Sequence, residues 1–234
     1  MFLFYYFSFD WIGYGLILLG VVITLAAQFY INSRYKKYRA IENKNHLTGV
    51  EVARKILDAN GLDDVYVTEV SGFLSDHYDP SRKVIRLSKD NFNGTSIASA
   101  SVAAHECGHA IQDKEGYVFL RIRGALVPFV NLASSFGYIA ILIGFLFNML
   151  NLAWIGVGLE LVILFFQLIT LPVEFNASSR AEQQLLKLNL LSNQELDGTK
   201  DMLRSAAMTY VASLATTLLE ILRLVLILFR SDDR

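Results

Sequence analysis

Three stretches of this chain carry almost no charge over lengths that only a lipid bilayer or the centre of a large protein can hide. A chain of 234 residues has no such large centre. Trp11 to Ile31 contains no charged residue, Gly124 to Leu150 contains none, and Leu152 to Val173 contains only Glu160. Each is long enough to cross the hydrocarbon core as a helix. The join at Asn148-Met-Leu-Asn151 is so short that the second and third stretches read as an antiparallel transmembrane hairpin. A fourth stretch, Met208 to Phe229, includes Glu220 and Arg223, three apart on one helical face and able to pair. It reads as a fourth span, the rival reading being a core or interfacial helix. The chain is 53% hydrophobic with a formal charge of −1, a balance that points to a lipid bilayer and to no nucleic acid.

The first stretch reads as an uncleaved anchor and not as a signal peptide, because Met1 to Asp10 has no basic residue, ends on Asp10, and no small-residue cleavage site precedes a new domain. Basic residues then set the orientation. Arg34, Lys36, Lys37 and Arg39 follow the first span, Arg121 and Arg123 precede the second, and Arg180 and Lys187 follow the third, so the positive-inside rule puts all three segments in the cytoplasm. The only cysteine, Cys107, cannot form an internal disulfide.

Between the first two spans lies a small α+β segment. Val52, Ala53, Ile56 and Leu57 recur at helical spacing between Thr48 and Asn60, and Gly61 ends the run. Val65 to Val70 and Lys83 to Ser88 read as short strands, with Asp79-Pro-Ser-Arg82 as the turn signal between them. A helix from about Ser96 to Asp113 follows. The expected division is residues 1–33 as anchor, 34–123 as a cytoplasmic segment that includes this helix, 124–173 as the hairpin, 174–207 as a further helix and its sequel, and 208–234 as the fourth membrane helix and tail.

That helix contains Val102-Ala-Ala-His-Glu-Cys-Gly-His-Ala-Ile111, in which His105, Glu106 and His109 spell H-E-x-x-H. Residues four apart share a helical face, so two imidazoles can grip one Zn²⁺ while the glutamate after the first reaches a water there. Zinc with three protein ligands keeps a position for water, lowers its pKa and polarises a scissile carbonyl, with Glu106 as the general base. The competing reading is a packed or solvated histidine pair. Against it, two of only four histidines fall in the pattern, and Glu106 is the one charged residue from Val102 to Ile111, where an unpaired acid is costly.

A third ligand is needed, and Glu174 is the best placed. It follows Pro172, where the third span is expected to kink or end, and two crossings return it to the side of His109. Glu174, Ala177, Ser178 and Ala181 share one helical face whose small residues allow close approach to the motif helix. Glu160 lies inside a span, while Asp113 and Glu115 follow the motif too closely to wrap back. The alternative is that Glu174 only caps a helix after proline. His77 and Tyr78 lie in a loop before the second strand and are candidates to donate to an oxyanion, or to make turn hydrogen bonds. Asp76 and Asp79 either orient a zinc histidine or stabilise that turn. Cys107 points away from the metal and reads as a small core residue, the alternative being a redox thiol.

These runs, with Leu74-Ser-Asp-His-Tyr-Asp-Pro80, Val84-Ile-Arg-Leu-Ser88, Ala103 to Gln112 and Pro172 to Ala181, resemble the YugP-type neutral zinc metallopeptidases of bacterial membranes. The likeness covers nearly the whole chain, including Glu51 to Leu57 and Ala207 to Ala212. More distantly the chain is similar to the HtpX and CAAX-prenyl proteases, which pair H-E-x-x-H with a glutamate in an E-x-x-A-D element. The resemblance implies zinc on His105, His109 and Glu174, Glu106 as base, and a multi-pass protein of the bacterial plasma membrane. Ser178 stands where those distant relatives have aspartate. The expectation is a mainly α membrane protein with about four transmembrane helices and a small zincin-like catalytic unit, acting as a gluzincin-like metalloendopeptidase on a polypeptide that pairs with Lys83 to Ser88 as an edge strand. The alternative is a non-catalytic membrane adaptor with a structural metal.

Overall fold

A computed structural model describes residues 11–72 and 75–232. The acidic leader ending at Asp10 and Leu74 of the Leu74–Pro80 run lie outside the described residues. In order the elements are helix α1 (Trp11–Arg39), α2 (Gly49–Ala59), strands β1 (Tyr66–Val70), β2 (His77–Asp79) and β3 (Val84–Ser88), and helices α3 (Lys89–Asn93), α4 (Ile97–Lys114), α5 (Val118–Leu146), α6 (Leu150–Lys187) and α7 (Asn193–Asp232). The protein is mainly helical, and α1, α5, α6 and α7 are each long and apolar enough to cross a membrane. Its residues divide into two compact units, one of residues 11–27, 122–170 and 209–232, the other of 28–121 and 171–208.

The first unit holds the hairpin. Asn148 turns it with φ +56, a left-handed conformation that asparagine tolerates, and the Met149 N–H donates to Gly144 O at 2.8 Å. A Cβ on Gly144 would lie 2.6 Å from Ala153 N, and one on Gly156 would lie 2.8 Å from Gly137 O, so glycines let the two helices touch by backbone. Ile141, Ala153 and Val157 pack with Leu224 and Leu228 of α7. Gln167 donates to Ser213 and Thr217, and Arg223 pairs with Glu220 at 2.9 Å as its spacing suggested.

The second unit is built around α4. Thr48 and Glu51 form a capping box at the start of α2, whose Val52, Ala53, Ile56 and Leu57 are all buried, and Gly61 leaves the helix with φ +61. Ser96 caps α4 by accepting from the Ser99 N–H. The core joins these helices to Ile85 and Leu87 of β3 and to Ala181 and Leu185 of α6.

The sheet differs from expectation in two respects. Its order is β1-β3-β2, with β1 parallel and β2 antiparallel to β3, so the strand expected at the edge is the centre of the sheet. Val84, Ile85, Leu87 and Ser88 are buried on both faces, as suits a strand paired on two sides. His77 and Tyr78 belong to β2, a strand too short for periodicity to reveal. The Asp79 carboxylate accepts from the Ser81 and Arg82 N–H groups in the turn to β3, and Lys83, at φ +49, lies outside the strand. A third difference is in α6, which does not end at Pro172 but continues as helix to Lys187. Pro172 lacks the N–H that would reach Leu168 O one turn earlier, a loss that long apolar helices tolerate.

Candidate metal centre

Four-residue spacing on α4 stacks His105 and His109 with ring centroids 4.8 Å apart, edge to face. Glu174 comes from α6: its Oε2 lies 3.3 Å from His105 Nε2 and 3.7 Å from His109 Nε2. The three ligand atoms fall within 4.8 Å of one another, and no other such trio of histidine, cysteine or acid occurs among the described residues. Glu174 and His109 are buried, while His105 is partly exposed, so the trio stays open to solvent from one side.

The approach of the two helices depends on residues with little or no side chain. A Cβ on Gly108 would lie 2.5 Å from Ala177 O, and Ala177 and Ala181 are fully buried. The small face of residues 174, 177, 178 and 181 therefore lies against the motif helix, as its composition suggested.

Both histidines hold hydrogen bonds through the nitrogen that faces away from Glu174. His109 Nδ1 lies 3.0 Å from Gln112 Oε1, and His105 Nδ1 lies 3.3 Å from Ser178 Oγ. Ser178 thus sits where an orienting partner is needed, although it is not the aspartate of the distant relatives. Gln112 escaped sequence reasoning. Its one signal was an uncharged polar residue three positions after His109 in an otherwise apolar run.

Burial pushes the Glu106 carboxyl up to about 7, helped by Glu174 and Asp76 and opposed by His105 and by a hydrogen bond from the Tyr78 backbone N–H. Glu174, just beyond the spanning stretch, is also raised by burial, but its hydrogen bonds to His105 and His109 win and hold it well below the usual carboxylate range. Burial raises the Cys107 thiol; its Sγ lies 3.6 Å from Ala53 O in the core, in keeping with a packing residue.

The weaker candidates are engaged elsewhere. The His77 ring contacts Ser75 O at 2.8 Å and Arg86 at 3.2 Å, and the Tyr78 hydroxyl donates to Asp113 at 2.9 Å. From β2 the Tyr78 backbone N–H donates to Glu106. Asp76 accepts from Ser88 and Asn91, and Asp79 from its turn and from Arg86, so neither orients a histidine of the trio. Glu115 pairs with Arg180.

The donor set suits zinc. Two imidazoles and one carboxylate make up a ligand set of catalytic zinc sites, which leave a fourth position for water or substrate. The family described as "Putative neutral zinc metallopeptidase" matches residues 14–229. The chain is 47% identical to the "Putative membrane protease YugP" of Bacillus subtilis (strain 168) over 207 residues, covering 88% of this chain and 92% of that protein. No solved structure matches. With a match of that extent and two helices converging on His105, His109 and Glu174, the chain belongs to this family of neutral zinc metallopeptidases.

Proposed function

We propose that this protein is a membrane-embedded zinc-dependent metalloendopeptidase, with His105, His109 and Glu174 as the metal ligands and Glu106 as the general base. One observation carries the reading: a single carboxylate oxygen of Glu174 faces the Nε2 atoms of both motif histidines, on the helix that also presents Glu106. Zinc bound there supplies a Lewis acid that polarises the scissile carbonyl and makes an attacking water more acidic. Glu106 takes that water's proton as the oxygen bonds to the carbonyl carbon. Return of the proton to the amide nitrogen lets the C–N bond break, giving an acid and an amine. A carboxylate whose burial raises its pKa toward neutrality is suited to both transfers.

An extended polypeptide, such as a segment of a membrane protein, is the substrate class this arrangement favours. β2 is an edge strand, packs on α4 and sends the Tyr78 N–H to Glu106, so a chain adding to that edge by main-chain hydrogen bonds runs beside the base. The basic residues beside the spans favour a cytoplasmic centre.

Metal analysis of purified protein tests the ligand set. His105→Ala, His109→Ala and Glu174→Ala each lower zinc content, whereas Glu106→Gln keeps it. Normal zinc content and activity in Glu174→Ala would remove the third ligand from this account. In cells, crosslinking is expected to enrich a bound polypeptide on Glu106→Gln relative to wild type, and equal recovery on both would count against a peptidase.

A further inference from the structure

We infer that Gln112 is a positioning residue of the metal centre: its side-chain amide fixes a proton on His109 Nδ1, leaving Nε2 to ligate, and ties the helix of the two histidines to the helix of Glu174. The inference rests on reading the trio as a metal site.

Gln112 is fully buried, and both ends of its amide are spoken for. The Nε2 end donates to Val173 O at 2.9 Å and to Asn176 Oδ1 at 2.9 Å, two acceptors on either side of Glu174. A main-chain carbonyl can only accept, so the NH₂ group must face α6 and the oxygen must face His109. Oε1 lies 3.0 Å from His109 Nδ1 and can likewise only accept. The imidazole therefore carries its hydrogen on Nδ1, and in the neutral ring the lone pair is on Nε2, the atom that faces Glu174.

The far end of the amide is itself held. Asn176 Oδ1 also accepts from Arg180 Nε at 2.7 Å, and the same guanidinium pairs with Glu115 at 2.7 Å. His105 is set less firmly, because the Ser178 hydroxyl 3.3 Å away can donate or accept and so selects neither nitrogen. A glutamate at 112 would still accept from His109 but could not donate to Val173 O. The ligand-orienting and helix-tying roles can therefore be separated by substitution.

The test uses full-length protein in detergent micelles, with zinc affinity read by competition against a chromophoric chelator and folding read by far-ultraviolet circular dichroism of the metal-free form. Gln112→Met, close in shape but without the oxygen acceptor, should fold and bind zinc roughly tenfold to a hundredfold more weakly. Gln112→Glu should restore most of that affinity, a rescue that a purely structural role does not permit, and Ser178→Ala should lose less than Gln112→Met. Wild-type affinity in Gln112→Met, or equal weakening in the Met and Glu variants, overturns the inference. Failure of both variants to fold assigns Gln112 to the fold and overturns it as well. Absence of zinc binding by the wild type would instead overturn the metal-site reading beneath it.

Discussion

A general base beside a metal must be ionised when it acts yet basic enough to hold a proton afterwards, and in the metal-free site burial raises the Glu106 carboxyl to about 7. The same burial has a consequence for stability. In the metal-free protein the folded state keeps a proton on Glu106 up to about pH 7, whereas the unfolded chain releases it near the usual 4.5. Between those values the unfolded state binds fewer protons, so stability falls as pH rises and levels off above about 7. The ceiling on this loss is about 3 kcal/mol. Metal-free Glu106→Gln should therefore melt higher than wild type at pH 8, and the difference should vanish near pH 4.5. Parallel thermal melts at the two pH values check this; an equal difference at both would contradict it. At this scale His105, Glu106 and His109 were legible because their spacing is local. Glu174 was legible through the count of membrane crossings between it and His109. Gln112 was not, because a glutamine's role depends on which acceptors a distant helix brings to it.

Elements carry the next layer. The helices that begin at Thr48 and Ser96 were readable from apolar spacing, and the structure adds that Thr48 with Glu51, and Ser96, cap them. The central place of β3 was not, because burial on both faces removes the alternation that marks an edge, and β2 is only His77–Asp79. Continuation of α6 through Pro172 was also hidden, because a long apolar helix tolerates an internal proline that would end a helix in water. The contact of α4 with α6 gives the prediction for this scale. In Gly108→Ala the new methyl would meet Ala177 O at 2.5 Å, which forces the ligand-bearing helices apart. The expected cost is about 1–3 kcal/mol together with weakened zinc binding. Gly124→Ala, with nothing within 4 Å of its Cβ, should be neutral or slightly stabilising, as alanine is in a helix. Chelator competition and thermal melts on the pair decide the matter, and unchanged zinc affinity in Gly108→Ala would contradict the close-contact argument.

For the whole molecule, the uncharged stretches announced the membrane helices before any motif was considered, and the four long apolar helices agree with that reading. The side of the membrane rests on the basic residues beside the spans. Single cysteines placed at Lys44 and Lys187, in a Cys107→Ala background, should both resist an impermeant external thiol reagent; labelling of one alone would break the hairpin, and labelling of both would reverse the orientation. The central claim, that this membrane protein hydrolyses peptide bonds with Glu106 as base, is tested most directly by comparing turnover of zinc-loaded wild type and zinc-loaded Glu106→Gln on one polypeptide. The account predicts equal zinc content and a rate lower by about a hundredfold to ten-thousandfold in the variant. Undiminished hydrolysis by the zinc-loaded variant would contradict it.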